Sequence, residues 1–323
     1  MLREAEGKTK YILGIETTGA YASVALLAAE DETAGIDVVH GNDRFSHLQN
    51  LTPQIKEVLD GRGLKVSDLD AIAVSNGPGS FTGIRIGVST GRALSQVSAV
   101  PCVAVSSLEA LAMRGAAARA GENETATRAG ESETAARAGE SEAAARAGEN
   151  ETAARAGADT SKVLVCPILD ARRKQVYGGA YILKDQGRAQ GHVPLEVVEA
   201  GPYLIGEFLR AIEAEVAIDP AGEAGEDTHR IFFLGDGVDT CSEEILSWAE
   251  EKGRRIVFAD EEIRYQDAST VVMRAWQLMK EGRTMGYMEL EPDYMRMAEA
   301  ERKLREKNLK EKSAIRQDPD QKI

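Results

Sequence analysis

The stretch with the most chemical potential is GPGSFTGIRIG, residues 77–87. A glycine-rich turn that runs into a helix can cradle phosphate, because free backbone N–H groups cluster at the positive helix end. Ser80–Gly83 would supply those donors. The spacing fits neither common nucleotide loop. No GxxxxGK[ST] pattern is present, and the third glycine of GxGxxG is replaced by Thr82. Gly83, Gly87 and Gly91 are four residues apart, so they share one helical face. Each costs a helix about 1 kcal/mol relative to Ala. A helix that approaches this face closely would offset the cost through dispersion contacts. The pattern therefore reads as a packing groove rather than a phosphate site. Spacing alone does not say whether the approaching helix is internal or belongs to another chain.

Other chemistry is sparse. The four histidines, His40, His47, His192 and His229, form no HxxxH or HExxH pair on one helical face. No Cys or Ser stands out beside a His as a nucleophile. Asp170 has the chemistry of a general base, but Arg172, Arg173 and Lys174 beside it fit a structural ion-pair role equally well. No catalytic residue and no metal site is expected.

Composition narrows the class. A net charge of −14 disfavours unaided nucleic-acid binding, which rests on Lys and Arg displacing counterions. The three cysteines, Cys102, Cys166 and Cys241, are far apart and read as buried small hydrophobes in a reducing compartment. The N-terminus is charged and no apolar run approaches a membrane span, so cytoplasmic localisation is expected.

The elements that must position these residues alternate. Tyr11–Leu27 reads as a β-hairpin turning at Thr17–Tyr21, and Ile36–Val39 as a third strand. Leu48, Leu51, Ile55, Val58 and Leu59 fall on one helical face. Pro53 predicts one kinked helix there, the alternative being a new helix that starts at Pro53. A buried strand at Asp70–Ser75, a helix over about Phe81–Val97, a strand at Pro101–Val105 and a helix opened by Ser106-Ser107-Leu108-Glu109 complete the first unit. A second hairpin, Val163–Leu169 and Gln175–Leu183 around DARRK, opens a second unit. A helix at Leu204–Ile212, a strand at Arg230–Leu234 ending in GDG at 235–237, a helix at Glu243–Lys252, a strand at Arg254–Phe258 and a helix at Ala268–Glu281 follow. The fold class is α/β with mixed sheets, and the two opening hairpins indicate duplication.

Two segments stand apart. Residues 116–160 repeat a nine-residue unit marked by Arg119, Arg128, Arg137, Arg146 and Arg155. Nine residues rotate a helix by about 900°, so no face repeats. Nothing in it is apolar beyond Ala, so it reads as a disordered insertion. The charged tail carries seven basic and two acidic residues between Arg302 and Arg316. The expected domains are 10–115, the insertion 116–160, a second lobe 161–298 and the tail 299–323.

In order along the chain, YILGIETTGAYASVALL, FSHLQNLTPQIKEVL, AIAVSNGPGSFTGIRIGVSTGRAL, VAVSSLEALA, VLVCPILDARRKQVYGGAY and EPDYMRMAEAERK resemble the TsaB (YeaZ) family. The resemblance covers most of residues 10–300, with GPGSFTGIRIG its most specific part. It implies an actin-like (ASKHA) fold of two duplicated α/β lobes. It implies a non-catalytic subunit that works with a TsaD-like catalytic subunit and a TsaE-like ATPase. Their product is a threonylcarbamoyl group on N6 of the adenosine beside the anticodon of ANN-decoding tRNAs. The subunit would pair through N-terminal helices at about Ser46–Asp60 and Phe81–Gln96, with itself as a homodimer or with the catalytic subunit, and tRNA would be held indirectly. The interface residues are then His47, Leu51, Ile55, Gly83, Gly87 and Gly91. ASKHA kinases read D-x-G-T in their phosphate hairpins. Here Glu16-Thr17-Thr18-Gly19 is a partial match, and Gly235-Asp236-Gly237 resembles the adenosine turn. Glu16, Thr17, Thr18, Gly235 and Gly237 thus form a weak or vestigial nucleotide site, with no cofactor of its own and ATP or ADP as the ligand in the complex. An ASKHA-fold ATPase or small-molecule kinase is the rival reading.

Overall fold

The structure is a computed structural model. It describes residues 9–30, 34–41, 47–120, 163–185, 192–217 and 230–295. Most of the nonapeptide insertion, the charged tail, the side chain of His47 and all of His229 lie outside the described residues.

Two five-stranded sheets share one topology. In the first, β1 (Lys10–Glu16), β2 (Ser23–Ala29), β3 (Ala34–His40), β4 (Ala71–Gly77) and β5 (Cys102–Ser106) are ordered β3-β2-β1-β4-β5. The second contains β6 (Val163–Asp170), β7 (Gln175–Asp185), β8 (His192–Leu204), β9 (Arg230–Leu234) and β10 (Arg255–Phe258). It repeats that order as β8-β7-β6-β9-β10. In each sheet the hairpin strands pair antiparallel and the last two strands join parallel. Both sheets are mixed, and their common order is the duplication that the two hairpins announced.

Alternation along β1 explains the layers. Leu13 and Ile15 face α1 (His47–Asp60) and α2 (Phe81–Ser98), while Ile12 faces the helix α7 (Ala268–Lys280) on the other side. In the second sheet, Leu164, Cys166 and Ile168 meet α4 (Ile205–Ala217) and α5 (Gly237–Lys252). Val163, Val165 and Leu169 meet α3 (Ser107–Ala120), which leaves the first unit to pack there. In return, α7 packs on the first sheet, as do Leu290 and Tyr294 beyond it. The expected division at 161–298 is corrected on this point. Residues 268–295 are adjacent to the second unit in sequence, yet they pack on the first sheet. A short helix, α6 (Glu261–Arg264), precedes that crossing.

Pro53 lies inside α1, which is one helix rather than two. The strand β8 had no counterpart in the sequence reading. It carries Pro194 and Pro202 at the edge of its sheet, the position in a sheet that tolerates proline.

Candidate functional site

The glycine turn joins β4 to α2. Gly77 and Gly79 have φ of +130° and +150°, which L side chains rarely adopt. A Cβ on Gly77 would fall on the Asp293 carbonyl oxygen, and one on Gly79 would lie 2.6 Å from the Thr18 carbonyl oxygen. Two of the four expected donors, those of Ser80 and Gly83, serve the chain itself. Ser80 N donates to Thr18 O at 2.8 Å, Gly83 N to Ser80 Oγ at 3.3 Å and Ile84 N to Ser80 O at 2.8 Å. Ser80 is thereby the N-cap of α2. The turn cradles the chain's first hairpin.

The same contacts correct the expected docking groove. Gly83, Gly87 and Gly91 are all buried against the chain's own sheet. A Cβ on Gly83 would fall on the Thr17 carbonyl oxygen. One on Gly87 or Gly91 would come within 2.5 Å of Thr17 Oγ1 or Val74 Cγ2, respectively. Thr17 Oγ1 also donates to Gly83 O at 2.8 Å. The glycines let a helix approach closely, as the spacing required, but its neighbours are β1 and β4. Leu51 and Ile55 of α1 are likewise buried in this core, at 2% and 6% exposure. These five residues position α1 and α2. They do not form those helices' outward surface.

That surface carries residues the sequence reading passed over. Phe81 opens α2 at 41% exposure, and the Arg85 guanidinium lies 3.8 Å from its ring centroid. Tyr294 stacks on Phe81 at 5.1 Å and accepts from Arg85 Nε at 2.8 Å. Val97, at 82%, is exposed at the far end of α2. The i,i+4 spacing of Phe81 and Arg85 was legible, but nothing in sequence placed Tyr294 beside them. An exposed aromatic–arginine cluster of this kind is typical of residues that dominate protein interfaces. The outward positions of α1 are Thr52, Pro53, Lys56, Glu57 and Asp60.

The residues expected to hold a nucleotide are committed elsewhere. Glu16 is fully buried, and its Oε1 accepts from Thr18 N at 2.5 Å and Thr18 Oγ1 at 2.6 Å. Burial pushes the Glu16 carboxyl above its ordinary range, against the opposing effect of those bonds. Thr17 is spent on Gly83, and a Cβ on Gly19 would meet the Gln266 amide at 2.5 Å. Gly235 and Gly237 press on the Ile168 carbonyl, leaving no room for a Cβ. The Thr17–Gly83–Gly87 group is brought together; Gly235 and Gly237 belong to the other sheet.

Asp170 closes the second hairpin. Its Oδ1 accepts from Arg172 N at 2.8 Å, and its own N–H donates to Asp236 Oδ1 at 2.9 Å. That is a turn-capping role, which favours the structural reading of this carboxylate. The three cysteines are free and buried. Among the described residues no group of three or more His, Cys, Asp or Glu could hold a metal ion, and no helix is long and apolar enough to cross a membrane.

Comparison with known proteins bears on the whole chain. A family model described as TsaD, tRNA N6-adenosine threonylcarbamoyltransferase, matches residues 44–141. The tRNA threonylcarbamoyladenosine biosynthesis protein TsaB of Escherichia coli is 26% identical over 91% of this chain and 97% of its own length. The protein of that name from Bacillus subtilis is 27% identical over 90% and 96%. The Haemophilus influenzae TsaB is 32% identical, but that match spans only 47% of its length. A crystal structure of YeaZ from Pseudomonas aeruginosa superposes with a TM-score of 0.58 at 20% identity, covering 88% of this chain and 99% of that one. That likeness carries the fold, the two-lobed actin-like arrangement. The near end-to-end alignments to two TsaB proteins carry the rest: along nearly its whole length the chain is similar to proteins of the TsaB (YeaZ) family.

Proposed function

We propose that this chain is the non-catalytic, partner-docking subunit of a complex that transfers threonylcarbamoyl to N6 of the adenosine next to the anticodon in ANN-decoding tRNAs. The alignment across 97% and 96% of two TsaB proteins is the observation that carries this reading. A TsaD-like catalytic subunit is the partner, a TsaE-like ATPase completes the complex, and self-pairing of the free chain uses the same helices. The docking surface is the outward side of α1 and α2, with Phe81, Arg85 and Tyr294 as its anchor. This moves the interface from the buried glycines to the side chains above them. The rival reading, an ASKHA-fold ATPase, needs a phosphate site that Glu16 and Thr17, both buried and engaged, do not offer. Nucleotide, ATP or ADP, enters in this reading only with the assembled complex.

The test is reconstituted threonylcarbamoyl transfer to tRNA, with the catalytic subunit, the ATPase and the enzyme that makes the activated donor, run with and without this chain. Product formation should need the chain. The double variant Phe81→Ala, Arg85→Glu should weaken association with the catalytic subunit at least about ten-fold, as removal of an interface anchor does. Its melting temperature should stay within a few degrees. Equal product without the chain sinks the proposal. ATP hydrolysis by the chain alone that is lost in Glu16→Gln would establish the rival.

A further inference from the structure

The tip of the second hairpin has a feature that the fold does not require. Arg172, Arg173 and Lys174 have φ of 63°, 57° and 61°, three consecutive left-handed residues that are not glycine. L residues enter this region against the clash of Cβ with the following carbonyl, and they do so as single residues, mostly Gly, Asn or Asp. A hairpin that needs three such positions would be served best by those types. Here each position holds a long cation, and all three side chains are exposed.

The backbone is clamped so that this conformation persists. Ala171 N donates to Gln175 O at 3.0 Å and Gln175 N to Arg172 O at 3.1 Å. Asp170 Oδ1 holds Arg172 N, and Asp236 Oδ1 holds Asp170 N. Asp170 and Asp236 thus bond to the backbone at the base of the turn. Lys174 is 84% exposed on its side chain, and Glu244 reaches it only at 4.0 Å. Successive left-handed residues rotate about 100° apart with a rise of about 1.5 Å, the mirror of an ordinary helix. Three cations therefore fan out from a few ångströms of chain. In a strand they would alternate between two faces. On a chain of net charge −14 this is a dense positive tip, held in a strained conformation by those backbone bonds.

We propose that the Arg172–Lys174 turn contacts the phosphate backbone of RNA, supplying a sequence-independent hold on the tRNA that the complex modifies. The inference rests on the proposed function for the identity of the RNA. The chemistry is charge neutralisation with counterion release, which gives binding a steep salt dependence and no base preference.

The experiment uses the full chain in complex with its catalytic subunit and a fluorescein-labelled tRNA transcript, read by anisotropy from about 50 to about 300 mM KCl. The triple variant Arg172→Asn, Arg173→Asn, Lys174→Asn removes the charge while keeping a residue that tolerates left-handed backbone. It should bind about ten-fold more weakly at the low-salt end, with the log–log salt slope reduced by about 2. Arg172→Lys, Arg173→Lys should keep most of the affinity and the slope. An unchanged slope and affinity in the triple Asn variant overturns the proposal. So does an equal loss in the Lys variant, because the effect would then follow turn geometry rather than charge. The transfer assay separates the two readings. If product requires the chain but the triple Asn variant binds tRNA like the wild type, the RNA contact fails and the subunit role stands. If product does not require the chain, the subunit role fails, and the anisotropy series still decides whether the turn holds RNA.

Discussion

Asp236 shows how a residue's role hides from sequence. GDG was legible as a turn, and both glycines answer to the Ile168 carbonyl. The aspartate between them was not legible. Burial pushes its carboxyl up to about 6 from an ordinary 3.8, and the charges of Asp170 and Asp239 act in the same direction. The bond from the Asp170 N–H opposes them. A carboxyl with a raised folded-state pKa favours folding when protonated. Its stabilisation is complete below about pH 3.8 and is lost as pH rises towards 6. Asp236→Asn keeps the acceptor for Asp170 N–H and never ionises. At pH 7 the variant should therefore be more stable than wild type by about 2–3 kcal/mol, and the gain should vanish near pH 3.5. Urea unfolding at the two pH values measures this. An equal difference at both would show that Asp236 is as well solvated folded as unfolded.

At the scale of elements, α2 shows what a period can and cannot say. The four-residue spacing of Gly83, Gly87 and Gly91 identified a face on which something comes close. It could not say what comes close, because a glycine records only the absence of a side chain. The neighbour is a hairpin corner and two strands, and that placement depends on sheet order, which no local pattern encodes. The two candidate effects of a Gly→Ala change are opposed here. Ala gains about 1 kcal/mol of helix propensity, while its Cβ must displace whatever it meets. At Gly83 that is the Thr17 carbonyl, which the backbone holds; at Gly91 it is the Val74 Cγ2 methyl, at 2.5 Å, which can rotate away. Overpacking of this kind costs about 1–3 kcal/mol or more. Gly83→Ala should lose about 2 kcal/mol net or more and Gly91→Ala about 1 or less, by chemical denaturation. Stabilisation by Gly83→Ala would mean that α2 does not sit against Thr17. The strand β8 carries Pro194 and Pro202, which a central strand excludes and an edge tolerates, and edge position is again a matter of sheet order. The hairpins, α3 and the strand before GDG were legible because apolar alternation and a capping box are local signals.

At the scale of the molecule, the two sheets are tied by an exchange of helices. The helix α3 covers the second sheet and α7 the first. Arg274 of α7 reaches Glu109 of α3 at 2.6 Å, while Asp267, which caps α7, takes His40 of β3 at 2.6 Å and Arg114 of α3 at 3.2 Å. The 121–162 segment joins the end of α3 to the start of β6, so both of its ends are held by packed elements. Its repeats offer Ala, Gly and charge, and nothing larger to bury. The sequence reading of it as a disordered insertion implies that its contribution to stability is the entropy of closing a loop between fixed ends. That entropy varies as about (3/2)RT ln n. Replacing 121–162 with about ten Gly and Ser residues should stabilise the chain by about 1 kcal/mol, and it should leave association with the proposed catalytic partner unchanged. Thermal unfolding and a pull-down on one preparation measure both. Loss of association with the fold intact would make the repeat part of the docking surface, and loss of stability would make it part of the core.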